Sequence, residues 1–99
     1  MIRKALFIAL AILMTAAPAR AEKVGELYRL CSSKDAADEE YCLGFLAGSW
    51  HGLSCEGNAT NGALEQAFKN WAAKHPEAWG FPAWLGVSSA ISPVWHCGQ

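Results

Sequence analysis

The stretch Cys42-Leu43-Gly44-Phe45-Leu46-Ala47-Gly48-Ser49-Trp50-His51-Gly52-Leu53-Ser54-Cys55 decides the fold of this 99-residue chain. Its apolar face recurs with the period of an α-helix, at Cys42, Leu46, Ser49, Trp50 and Leu53. The acidic residues just before it favour a helix start, because negative charge is stabilising in a first helical turn. The sequence therefore predicts a helix from about Ala36 to Leu53, with one cysteine near its start and another just beyond its end.

A ridge of glycines runs along the same helix, at Gly44, Gly48 and Gly52. Glycine inside a helix costs about 0.5–1 kcal/mol relative to alanine, so the ridge indicates that another backbone approaches closely. We expect these three to be helix-packing residues, within the domain or against a second copy of the chain in a homodimer. Packing inside a membrane is disfavoured, because the helix contains His51 and starts among four acids between positions 35 and 40.

Helical patterns flank this segment on both sides. A short helix is predicted at 22–30, and Thr60 or Asn61 can cap a third helix that ends at His75-Pro76. A fourth is predicted from Ala83 to about Ile91, with Pro93 just beyond its end. No alternating Val/Ile/Thr run supports a strand. The fold class is therefore all-α, a small disulfide-stabilised helical bundle of about four helices.

Residues 1–21 have the pattern of a cleavable signal peptide. The segment opens with Met1-Ile2-Arg3-Lys4, a short positive stretch, continues as an apolar run over 5–14 and closes with Ala19-Arg20-Ala21, a small-x-small cleavage signal. The run is shorter than the roughly 20 apolar residues that span a bilayer. We expect cleavage after Ala21, a mature domain of residues 22–99 in the periplasm, and no membrane insertion after cleavage.

Four cysteines in an exported domain predict two disulfides. In an antiparallel up-down bundle, Cys31 and Cys42 would share one pole, while Cys55 and Cys97 would share the other. A helix of about 15 residues is about 22 Å long, so cross-pole pairs are too far apart for the Cα separation of about 7 Å that a disulfide tolerates. We therefore predict the pairs Cys31–Cys42 and Cys55–Cys97.

The charge balance changes when the leader is removed. Three of the eight basic residues lie in it, at 3, 4 and 20, whereas all nine acidic residues follow it. The mature chain then has five basic and nine acidic residues, a net charge of −4. This balance argues against nucleic acid or an anionic membrane surface as the partner, since both would need a dominant basic patch, and it suits a basic protein partner.

No catalytic or metal motif stands out. His51 with Cys55 and His96 with Cys97 could form a zinc set, but the usual ligand spacings are missing. The histidines are isolated and no serine lies in a G-x-S-x-G elbow. We expect no enzyme activity, no metal and no cofactor; a small hydrolase or metal enzyme is the alternative from another class.

Five tryptophans are unusual for so short a chain. Trp50, Trp71 and Trp84 lie on predicted apolar faces, where we expect them in the core. Trp79 lies instead in the proline-bounded linker 76–82, the profile of an interface anchor, with a sugar-stacking platform as the alternative. The candidate partner-binding residues are those of this linker and its start, His75, Glu77, Trp79, Gly80 and Phe81.

Two sequence blocks resemble the Rap1a/Tai immunity protein family: 41–48, with Cys-Leu-Gly-Phe-Leu-Ala-Gly, and His75-Pro76-Glu77 followed by Pro82-Ala83. Cysteines at 31, 55 and 97 complete the pattern. The resemblance implies a periplasmic immunity protein that binds and occludes a peptidoglycan amidase effector of type VI secretion, often as a dimer. A periplasmic helical binding or chaperone-like module with another protein partner is the alternative.

Overall fold

Four α-helices make up the fold in the computed structural model, which describes residues 22–98. They are α1 (Val24–Ser32), α2 (Ala36–Gly52), α3 (Asn61–Lys74) and α4 (Ala83–Trp95), with a 3-10 turn at Pro76–Ala78. No β-strand forms within this range; an isolated antiparallel bridge joins Lys23 to Pro82. The predicted all-α fold is confirmed, and the signal-peptide prediction lies outside the described residues.

The helix starts follow from local capping. The Asp35 carboxylate accepts hydrogen bonds from the backbone N–H of Ala37 (2.8 Å) and of Asp38 (3.3 Å), so it caps α2. The hydroxyl of Thr60 accepts one from Ala63 N–H (3.1 Å) and caps α3. Each cap satisfies N–H groups that the first turn of a helix leaves without an intrahelical partner.

All four helices contribute to a single core. Its largest fully buried side chains are Phe68, Leu27, Leu46, Leu64, Ile91, Val24, Val87 and Cys42. Burying one such apolar side chain contributes about 1.5–3 kcal/mol relative to leaving it exposed. The buried side of α4 consists mainly of small residues, Ala83, Gly86 and Ala90 beside Val87 and Ile91, so this helix approaches its neighbours closely.

Helices α1 and α4 begin side by side, which differs from an up-down bundle. Ala83 N–H donates to the Glu22 carbonyl (3.0 Å), and Val24 N–H donates to the Phe81 carbonyl (2.9 Å). In an up-down bundle the start of the first helix would meet the end of the fourth. That arrangement was wrong, because backbone groups at the start of α1 find their partners in the segment that leads into α4.

Both predicted disulfides are nevertheless confirmed. Cys31 is bonded to Cys42, with their Cα atoms 5.0 Å apart, and Cys55 is bonded to Cys97. The second pair forms because the ends of α2 and α4 do meet: Trp50 packs edge-on against Trp95 at 5.6 Å between ring centroids. The sulfurs of Cys55 and Cys97 are bonded to each other and are therefore not available to the zinc set considered above. In the chain-entropy model the two loops contribute about 3 and 4 kcal/mol.

The glycine ridge of α2 does not pack within the domain. A Cβ built on Gly44, Gly48 or Gly52 meets no described atom within 4 Å, and all three are exposed. The intradomain contact was therefore wrong: α2 buries its opposite side, through Cys42 and Leu46. Contact with a second copy of the chain stays a prediction.

Helix α4 is longer than its sequence indicates. It continues through Pro93 to Trp95 and ends with His96 in the left-handed conformation (φ 51°). A proline removes the hydrogen bond to the carbonyl four residues earlier, here that of Ser89. Because Ser89 is exposed, water can satisfy this carbonyl, and the helix need not end before Pro93.

Candidate partner-binding surface

The linker between α3 and α4 is a compact turn. Pro76 starts the 3-10 helix, and its rigid φ suits a first helical position. Consecutive backbone bonds then close the turn: Ala78 N–H to the His75 carbonyl (2.9 Å), Trp79 N–H to Pro76 (3.2 Å) and Phe81 N–H to Ala78 (2.9 Å). The only buried residue of the 3-10 helix is Ala78, so this residue, in the middle of the turn, packs the turn against the domain.

His75 is engaged within the domain. Its ring stacks on Trp71 with centroids 4.6 Å apart, and its Nδ1 lies 2.7 Å from the Trp71 carbonyl oxygen. A carbonyl oxygen only accepts hydrogen bonds, so Nδ1 carries the proton and Nε2 remains for other contacts. His75 is half-buried and shapes the turn as well as bordering its surface.

Trp79 is only partly available for a partner. Its indole N–H donates to the Ala72 carbonyl of α3 (2.9 Å), and its ring lies 5.4 Å from that of Tyr28 between centroids. A Cβ on Gly25 would lie 3.2 Å from the Trp79 Cβ, so α1 passes close beside it. The side chain keeps 41% of its surface exposed, and it ties the turn to α1 and α3.

The other three predicted residues are exposed. Glu77 and Gly80 lie on the outside of the turn, and Phe81 exposes 49% of its surface. The structure thus brings the predicted site residues together in one turn, although His75 and Trp79 also have partners inside the domain.

The expectation that Trp84 lies in the core was wrong. Trp84 exposes 64% of its surface and its neighbour Leu85 exposes 37%. The reason is the rotation of α4, which turns its small residues towards the core and leaves the bulky Trp84 outside. Trp50 and Trp71 are half-buried and pack against the core, as expected.

Phe81, at the end of the turn, and Trp84 and Leu85, in the first turn of α4, are close in sequence and all three are exposed; together they are named here the apolar surface. The sequence held a signal for it: Ala83, Gly86, Val87, Ala90 and Ile91 already make a complete helical face, which leaves 84 and 85 on the other side.

The described residues, 22–98, hold no candidate metal-binding group. No group of three His, Cys, Asp or Glu side chains there could hold a metal ion, and none of the described cysteines is free. Over the same residues, no helix has the length and apolar character needed to cross a membrane.

Comparison with known proteins identifies a family. The family model of Rap1a immunity proteins matches residues 23–97, which covers the helical domain from the start of α1 to the last cysteine. No curated protein and no solved structure matches the chain.

Proposed function

This chain belongs to the Rap1a immunity protein family, and from that membership we propose that it protects its host in the periplasm. In this proposal it binds a peptidoglycan amidase effector of type VI secretion and occludes the cleft of that enzyme. The family is one of inhibitors that bind an effector, not one of enzymes. Three statements go beyond family membership and are proposals: that the effector is an amidase, that the protein acts in the periplasm, and that the turn His75–Phe81 lies in the interface.

The single observation that carries the proposal is the match over residues 23–97. Two features of the molecule support it. The turn His75–Phe81 is closed by its own backbone bonds, so little conformational entropy is lost when it binds. The acidic excess of the mature chain favours encounter with a basic partner, and Glu77 adds a negative charge on the exposed side of the turn.

We also propose that the glycine ridge Gly44, Gly48 and Gly52 contacts a second copy of the chain. The three glycines are exposed, and a Cβ built on any of them would have no described atom within 4 Å. Glycines also allow two backbones to approach closely. Light scattering after size exclusion measures this directly. A dimer that becomes a monomer in Gly48→Leu, with the circular dichroism of the folded helical domain retained, supports the contact; a monomeric wild type refutes it.

The experiment for the main proposal uses the amidase effector encoded in the same genome, called here the cognate amidase. Purified peptidoglycan is digested by this enzyme with increasing amounts of the oxidised mature chain. We expect stoichiometric inhibition and a stable complex on size exclusion. An amidase that digests at an undiminished rate in the presence of excess chain would contradict the proposal, and a partner of another class would then be favoured.

A further inference from the structure

The apolar surface, Phe81, Trp84 and Leu85, is the feature that the domain itself does not use. Trp84 exposes 64% of its surface, more than any other large apolar residue in the described chain. A tryptophan is a large amphipathic side chain that is enriched at interfaces, so one this exposed marks a candidate interaction site. Helix α4 needs none of the three for its own packing, which runs through Ala83, Gly86 and Val87 on the opposite side.

The backbone beneath the apolar surface is fixed. Val24 N–H bonds the Phe81 carbonyl (2.9 Å), Ala83 N–H bonds the Glu22 carbonyl (3.0 Å), and Lys23 is bridged to Pro82. One turn further, Gly86 lies against Val24 and Trp71 with no room for a side chain. Because the backbone that carries these side chains is already fixed, binding has to order only the side chains, which favours affinity.

The segment that carries this surface has no charged residue of its own. All fourteen charged residues of the mature chain lie at positions 22–77, and none lies from Ala78 to the end of the sequence. A partner can therefore bury Phe81, Trp84 and Leu85 without desolvating a charge on them. Glu77 lies just before this segment in sequence, and Glu22 and Lys23 lie beside its backbone.

We propose that Trp84 is the anchor of the interface with the cognate amidase, entering an apolar pocket bordered by basic groups. This rests on the function proposed above and specifies its partner surface. The peptide stems of peptidoglycan carry carboxylates, so a groove that binds them needs cationic groups. Such a groove complements a chain with an uncharged aromatic anchor and a net charge of −4.

Trp79 is the competing anchor, and the contacts favour Trp84. The indole N–H of Trp79 is already bonded to the Ala72 carbonyl, and its ring faces Tyr28. No hydrogen bond or ring contact holds Trp84 among the described interactions. Hot spots of interfaces are enriched in tryptophan and are desolvated on binding, so the more exposed ring has more area to bury.

The test compares Trp84→Ala with Val94→Ala, which removes an exposed apolar side chain (56% exposed) near the far end of the same helix. The readout is inhibition of the cognate amidase on purified peptidoglycan, with circular dichroism and melting temperature beside it. We expect Trp84→Ala to weaken inhibition at least about 30-fold with an unchanged fold, and Val94→Ala to inhibit normally. A Trp84→Ala protein that inhibits like the wild type overturns the proposal.

A second variant tests the same surface in case Trp84→Ala does not fold. Leu85→Lys keeps a long apolar stem on the exposed side of α4 but puts a positive charge into an apolar contact that basic groups border. We expect at least about tenfold weaker inhibition, since desolvating this charge is unfavourable and the basic groups of the partner repel it. Normal inhibition by Leu85→Lys overturns the proposal.

Two further outcomes discriminate the alternatives. Trp79→Phe keeps a ring but loses the indole N–H; if it abolishes inhibition at an unchanged melting temperature while Trp84→Ala does not, Trp79 is the anchor. If Trp84→Ala dissociates a homodimer and inhibits normally, the apolar surface belongs to a second copy of the chain. Both results overturn the proposal, whereas a wild-type chain that fails to inhibit refutes the proposed function itself.

Discussion

Replacing Gly86 by alanine tests how closely α1 and α4 approach. A Cβ at this position would overlap Cγ2 of Val24 and would lie 3.3 Å from Cζ3 of Trp71. Val24 is fully buried and its branched side chain is stiff at χ1, so it cannot move aside freely. Overpacking of this kind costs about 1–3 kcal/mol, against which alanine gains about 0.5–1 kcal/mol of helix preference.

Gly48→Ala is the matched control for this prediction. It is the same change inside a helix, but its new Cβ meets no described atom within 4 Å, so only the helix preference acts. We expect Gly48→Ala to stabilise by about 0.5–1 kcal/mol. Because both variants share that preference, the difference between them isolates the steric cost, about 1–3 kcal/mol.

The assay is thermal and urea unfolding of both variants under oxidising conditions, at a concentration where each is monomeric. For a domain of this size each kcal/mol moves the melting temperature by about 4–8 °C. We expect Gly86→Ala to melt below the wild type and Gly48→Ala above it. Equal stabilisation by both substitutions would refute the close contact between Gly86 and Val24.

Three other predictions concern stability and processing. Asp35→Ala removes the carboxylate that accepts from two backbone N–H groups at the start of α2, and urea unfolding should show a loss of about 0.5–2 kcal/mol; an unchanged midpoint would mean that water replaces the cap. Paired Cys→Ser replacement should cost more at Cys55 and Cys97 (about 4 kcal/mol) than at Cys31 and Cys42 (about 3 kcal/mol), because the first pair closes the longer loop; the reverse order in unfolding experiments would contradict the loop argument. The intact mass of protein recovered from the periplasm should correspond to a chain that begins at Glu22 with two disulfides; a mass that includes Met1 would contradict cleavage.

The helices were predictable because their signals are local. The Thr60 cap of α3 and the apolar face of α2 act within one or two turns of the chain, and both appear in the structure where they were expected. The disulfide pairs were also correct, since the ends of α2 and α4 meet and α1 ends near the start of α2.

The arrangement of α1 and the outer side of α4 were not predictable in the same way. The position of α1 depends on bonds between backbone groups at 22–24 and 81–83, which carry no side-chain signal. The burial of α4 depends on small residues such as Gly86, whereas the expected core face relied on the large Trp84. Likewise, the three glycines of α2 indicated packing, but Gly86 is the glycine that Val24 contacts.

Protection of living cells tests the central claim most directly. Cells that produce the cognate amidase in their periplasm also express the full chain, or the same chain without residues 2–21, and the surviving cells are counted. The account predicts survival with the full chain and lysis with the chain that lacks the leader, because export and disulfide formation are both lost. Lysis despite abundant, oxidised, exported chain would contradict it.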